Sequence, residues 1–255
     1  MPVFESEGRS LRYEQHGEGF PLILFAPGGM RSAMQLWRSR PDTPNEKPPW
    51  IDPTADLSDA FRVIAMDQRN AGGSRAPVRS DDSWETYASD ALDLLDHLGI
   101  ERTHAMGGCI GSSYVLALIH AAPERVAAGV LQNPIGLSSD NRASFEEMFD
   151  GWATAIAPDH PEADASTWAA FRDAMFSGEF VFSVSRAFVR ECQVPLLVLP
   201  GADSFHPRAV AEEIVGLAPH AELVDDWAGE ERKPVTRERI RAFLLRHTSR
   251  PTTGR

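Results

Sequence analysis

The chain has 255 residues, of which 42% are hydrophobic and 24% charged, and a formal charge of −12. That size and mix fit one large globular domain, and the acidic balance argues against nucleic acid or an anionic membrane as a partner, because both reward clustered Lys and Arg. Two cysteines far apart, Cys109 and Cys192, suit neither a disulfide framework nor a zinc site and point to a reducing, cytoplasmic setting.

Residues 1–10 carry Glu5, Glu7 and Arg9 without the apolar core of a signal peptide, and no apolar run approaches the ~20 residues needed to cross a bilayer. Short apolar runs at 21–26, 61–66, 103–106, 126–131, 194–199 and 221–224 predict buried strands. Helical patterns at 83–98, 112–122, 207–218 and 236–246 fall between or after them. Such alternation predicts a mostly parallel sheet flanked by helices, with the functional loops at the C-terminal ends of the strands. Residues 40–53 (RPDTPNEKPPWIDP) read as an extended surface loop. The strand rhythm divides the chain into a core at 1–134, a helical, aromatic-rich lid at 135–190 and the rest of the core at 191–247. Most lid aromatics read as packing, with Trp152 assigned to substrate. Residues 248–255 lack periodicity and are expected to be disordered.

The run 105–111 (AMGGCIG) joins a predicted strand to a predicted helix. A nucleophile at such a turn sits in a strained backbone that admits only small residues two before and two after it. Gly107 and Gly111 satisfy that demand around Cys109. The competing reading makes Cys109 a buried small hydrophobe.

Four segments together resemble the α/β-hydrolase superfamily over nearly the whole chain. They are 25–30 (FAPGGM), 67–74 (DQRNAGGS), the GxCxG turn, and 199–203 (LPGAD). The resemblance implies an α/β-hydrolase fold with a helical lid after the sixth strand; the sequence carries no HExxH, CxxC, EF-hand or GxGxxG pattern, so no metal or cofactor is expected. It makes Cys109 the nucleophile, as in the cysteine-bearing dienelactone hydrolases. The backbone N–H groups of Ile110 and of Gly29 or Met30 become the oxyanion hole, and Asp203 the triad acid. Gly28 and Trp227 fall beside substrate. Asp203 also reads as a turn-forming residue, while Asp67 and Arg69 read as a structural tie.

The chain departs from the family where the histidine belongs: Glu230 follows Gly229 at that position. His206, three residues beyond Asp203, lies on the predicted site face, where it could act in catalysis or cap the following helix. Two classes of function follow. One is a thiol hydrolase cleaving a small ester, lactone, thioester or activated amide through acyl-Cys109, with water activated by His206, Glu230 or Asp203. The other is a diverted fold, either a lyase or proton-transfer enzyme using Cys109 and Glu230, or a small-ligand-binding protein. The expected partner is a small-molecule substrate, and the assembly state is open, a homodimer included.

Overall fold

The computed structural model describes residues 2–39 and 46–248. In chain order its elements are β1 (Val3–Ser6), β2 (Arg9–His16), β3 (Phe20–Phe25), α1 (Pro53–Asp56), β4 (Phe61–Met66), α2 (Trp84–His97), β5 (Thr103–Gly108) and α3 (Ile110–Ala121). There follow β6 (Val126–Gln132), α4 (Arg142–Ile156), α5 (Ala165–Phe176), α6 (Arg186–Glu191), β7 (Leu196–Leu199), α7 (Arg208–Leu217), β8 (Ala221–Leu223) and α8 (Lys233–Arg246). The strands form one sheet in the order β1-β2-β4-β3-β5-β6-β7-β8. From β4 to β8 every neighbouring pair is parallel, and the β1–β2 and β2–β4 pairs are antiparallel.

The inner strands are apolar throughout because both sheet faces are covered. Successive side chains point to opposite faces. Ile23, Phe25, Ala105, Leu131 and Val198 therefore join Leu94, Val115, Leu118 and Ile214 in one core, while Leu22, Leu24, Met106, Val130 and Leu197 meet Ile240, Phe243 and Leu244 in the other. Full burial of one such side chain contributes about 1.5–3 kcal/mol.

Local chemistry sets the element ends. Ser83 and Thr86 form a reciprocal capping box at the start of α2. Asp164 caps α5 and Ser185 caps α6 through side-chain acceptors. Asp67 ties the loop after β4 to the loop after β3: its Oδ1 accepts from Met34 N–H at 2.8 Å and its Oδ2 from Gly73 N–H at 2.8 Å. Arg69 grips Asp90 of α2 with two hydrogen bonds, at 2.8 and 2.9 Å, and Asp82 with a third at 2.7 Å.

Sequence reading missed β1 and β2. Their alternation of Leu11 and Tyr13 with Ser10 and Arg12 is the pattern of an edge pair with one buried face. The 40–53 segment is no simple surface loop either: Ile51 is 1% exposed, and Trp50 donates its indole N–H to Trp37 O at 3.2 Å. Residues 40–45 of that loop lie outside the described residues, as does the tail from 249. Thr248, expected to be disordered with that tail, is held by Leu244 O and His104.

Between β6 and β7 stand α4, α5 and α6. Phe145, Phe149, Trp152, Phe171, Phe176 and Phe182 pack there largely edge to face. Their rings bury one another.

Candidate active site

The turn between β5 and α3 places Cys109 at φ 57°, ψ −124°, a left-handed backbone that only a tightly held non-glycine residue keeps. Close approach of the flanking chain explains its glycines. A Cβ on Gly107 would lie 2.0 Å from Gly111 O, and one on Gly111 would lie 2.0 Å from Phe25 O. Cys109 N–H donates to Gln132 O at 3.0 Å, and Ser112 Oγ bonds both Gly107 O and Gln132 O at 3.1 Å. The sulfur therefore stands at the N-terminus of α3, where the helix dipole favours negative charge.

The loop from β7 to α7 carries the other two groups. Asp203 Oδ1 accepts from the backbone N–H groups of Phe205 and His206, at 2.9 and 3.0 Å. The same carboxylate meets His206 Nδ1 at 2.8 and 2.9 Å. One side chain thus builds the turn and orients the imidazole. Gly201 must lack a side chain, because a Cβ there would lie 2.2 Å from His206 Cβ. Nε2 of His206 is buried with no well-aligned hydrogen bond, and its strongest charge partner is Cys109.

These groups shift one another's ionisation. Burial raises the Cys109 thiol, but the charge of the nearby His206, with the N–H groups of Gly28 and Ile110, outweighs it and leaves the thiol below its ordinary value. Burial also opposes the imidazolium, yet Cys109 and then Asp203 raise His206 to about 10. Asp203 is held at about 2, chiefly by its hydrogen bond from His206. The pair is set toward thiolate and imidazolium, and titrates as a unit. Cys192 lacks such help: it is 4% exposed and its thiol is pushed up by burial.

A cavity of about 440 Å3 opens above the sulfur. Cys109, Asp203, His206, Gly28, Trp50 and Trp227 line it. Trp227 is fixed by its indole N–H on Pro200 O at 2.8 Å. Asn133 also faces the cavity, at φ 34° and with its Oδ1 buried and unpartnered. Sequence reasoning missed Asn133 and Trp50; the only signal for the first was its place immediately after an apolar strand.

Other expectations land elsewhere. Glu230 does not line the cavity: Gly229 turns the chain at φ 110°, and the Glu230 carboxylate sits in solvent, 2.6 Å from Lys233 Nζ. Trp152 is 1% exposed in the core of the insertion and borders a separate cavity, as does His160. Gly29 lies under Met148 of α4, Met30 is 1% exposed in the core, and Gly28 brings its N–H to the sulfur.

The sheet order, the strained turn and the Cys109–His206–Asp203 cluster define an α/β-hydrolase-type protein. A sequence profile described as alpha/beta hydrolase fold matches residues 21–224, and the chain belongs to that family. Among curated relatives, a 2-hydroxymuconate semialdehyde hydrolase of Pseudomonas putida is 29% identical over 152 residues, 59% of this chain and 48% of that protein. A putative carbamate hydrolase of Azorhizobium caulinodans is 32% identical over 133 residues, 52% of this chain and 44% of that protein. The matched stretches thus span about half or less of those relatives' length. An enol-lactonase from Burkholderia xenovorans LB400 superposes with a TM-score of 0.65 at 23% identity, over 96% of this chain and 100% of the other. A meta-cleavage product hydrolase from Pseudomonas fluorescens IP01 gives a TM-score of 0.68 at 21% identity, over 97% and 98%. At such identities these two structures speak for the fold.

Proposed function

We propose that the protein is a thiol hydrolase cleaving a small ester, lactone, thioester or activated amide through an acyl-Cys109 intermediate. The observation that carries this reading is His206, held at Nδ1 by Asp203 and coupled through its other face to the Cys109 sulfur. Family membership and the hydrolase names of the relatives support the same class.

The thiolate attacks the substrate carbonyl, and charge developing on its oxygen meets the backbone N–H groups of Ile110 and the Gly28–Gly29 turn. Collapse of the tetrahedral adduct breaks the bond to the leaving group, which takes the Nε2 proton of His206. His206, now neutral, removes a proton from water as that water attacks the thioester. The second collapse frees the carboxylic acid and restores thiolate and imidazolium. Asp203 keeps the ring oriented and stabilises its charged form. Trp227, Trp50 and Asn133 bound the substrate's space. The insertion acts as a supporting lid, with Met148 pressed on Gly29 and Phe145 on Phe205. Glu230, bound to Lys233 in solvent, takes no part, which removes the basis for a Cys109/Glu230 lyase.

Intact-mass analysis during turnover of p-nitrophenyl acetate tests the reading. A p-nitrophenolate leaving group needs no proton, so His206→Ala is expected to acylate and then stall as acetyl-Cys109. Turnover by the wild type with an unmodified Cys109, and equal turnover by Cys109→Ala, contradicts it.

A further inference from the structure

Beside the catalytic cavity lies a second one, of about 330 Å3, and Leu36 is a wall of both. Cys109, Asp203 and His206 do not line it. Leu36, Ala71, Trp152 and Ile156 give it apolar walls. Arg31, Arg75, His160 and Asn70 give it a polar, donor-rich side, with Asp159 the one carboxylate among its lining residues.

The two guanidinium groups bring positive charge to one cavity in a chain of net charge −12. Arg31 donates to Gly151 O at 3.3 Å, and Arg75 to Gly72 O at 3.0 Å and Ser74 O at 2.7 Å. These partners are neutral carbonyls, and among the described residues neither group is paired with a carboxylate. Arg9, Arg38, Arg69, Arg186 and Arg208, by contrast, all hold one. Asn70 also lines the cavity. It is 6% exposed and sits at φ 57°; its Oδ1 is used by Ala76 N–H at 2.8 Å, and its Nδ2 is buried with no partner.

We propose that this cavity binds a small organic monoanion, a carboxylate on an apolar ring or short chain. Arg31 and Arg75 hold the carboxylate, and Trp152, Ile156 and Leu36 cover the apolar body. The site stands on these residues alone and is independent of the hydrolase reading.

Benzoate is the probe, titrated calorimetrically into the full chain before and after carboxamidomethylation of Cys109. Acetate and inorganic phosphate serve as anions without a ring. The expected result is one benzoate per chain, bound equally by the alkylated protein and not displaced by equimolar phosphate or acetate. Arg31→Gln and Arg75→Gln should each weaken binding about tenfold or more, roughly the worth of one charge-assisted hydrogen bond. Arg31→Lys and Arg75→Lys should retain part of it. Circular dichroism of each variant, at exposed positions, checks that the fold is intact. No saturable binding, binding indifferent to both Gln variants, or equal displacement by phosphate overturns the proposal. So does binding abolished by alkylation, which assigns benzoate to the catalytic cavity.

Discussion

At the scale of single residues, the site depends on how closely Asp203 and His206 share one turn. A methyl group on Gly201 would meet His206 at both Cβ and O. Gly201→Ala is therefore expected to shift the imidazole and lower kcat/KM about 100-fold, the usual cost of a ~1 Å misplacement. A melting temperature near that of the wild type, measured alongside the kinetics, will separate this from unfolding. The ionisation directions set a second expectation. Cys109 lies below its ordinary value and His206 is raised to about 10. Thiolate and imidazolium therefore coexist between those limits: on the acid side the thiolate gains a proton, and above about 10 His206 loses the one it donates in the proposed mechanism. The pH profile of kcat/KM should be a bell with its alkaline limb near 10. An alkaline limb near the ordinary histidine value of ~6.5 would contradict the coupling.

At the scale of elements, the insertion braces the loop that carries Asp203 and His206. Asn141, at the head of α4, donates to Ser204 O at 2.7 Å and Gly136 O at 2.9 Å, and Phe145 packs edge-on against Phe205. Asn141→Ala should cost about 1–3 kcal/mol in urea unfolding, because two carbonyls lose their donor, and should lower kcat more than it raises KM. The inner strands and the helices between them were legible because burial on both faces writes itself as continuous apolar runs. The turn around Cys109 was legible because its two glycines answer a steric demand visible in spacing alone. Elsewhere the signal was weaker. The edge hairpin of β1 and β2 alternates with charge, and periodicity could not show that Trp152 packs inside the insertion. Glu230 was misplaced because its position after Gly229 could be read, whereas the outward turn of Gly229 could not. His206 was found by its spacing from Asp203, but its place beside Cys109 in one cavity needed the fold.

For the whole molecule, Arg69 is the tie between the sheet and α2. It faces Asp90, whose side chain is 0% exposed, and Asp82, 3% exposed, and Arg9 approaches Asp90 at 3.1 Å. Burial outweighs the Arg69 charge at Asp82 and raises its carboxyl, so the network is under strain if the cation goes. Arg69→Met should cost about 3–5 kcal/mol in denaturant unfolding, the penalty of stranding buried charge. A loss within ~0.5 kcal/mol would show that the tie contributes little. The central claim is that Cys109 is a thiolate because His206, fixed by Asp203 on one loop, holds it so. Its most direct test is the pH dependence of iodoacetamide alkylation, with modification at Cys109 and Cys192 resolved by peptide mass. The account predicts that Cys109 reacts with a midpoint below the ~8.5 of a free thiol, that His206→Ala moves the midpoint upward, and that buried Cys192 stays unreactive. A wild-type midpoint at or above ~8.5, unchanged in His206→Ala, would contradict it.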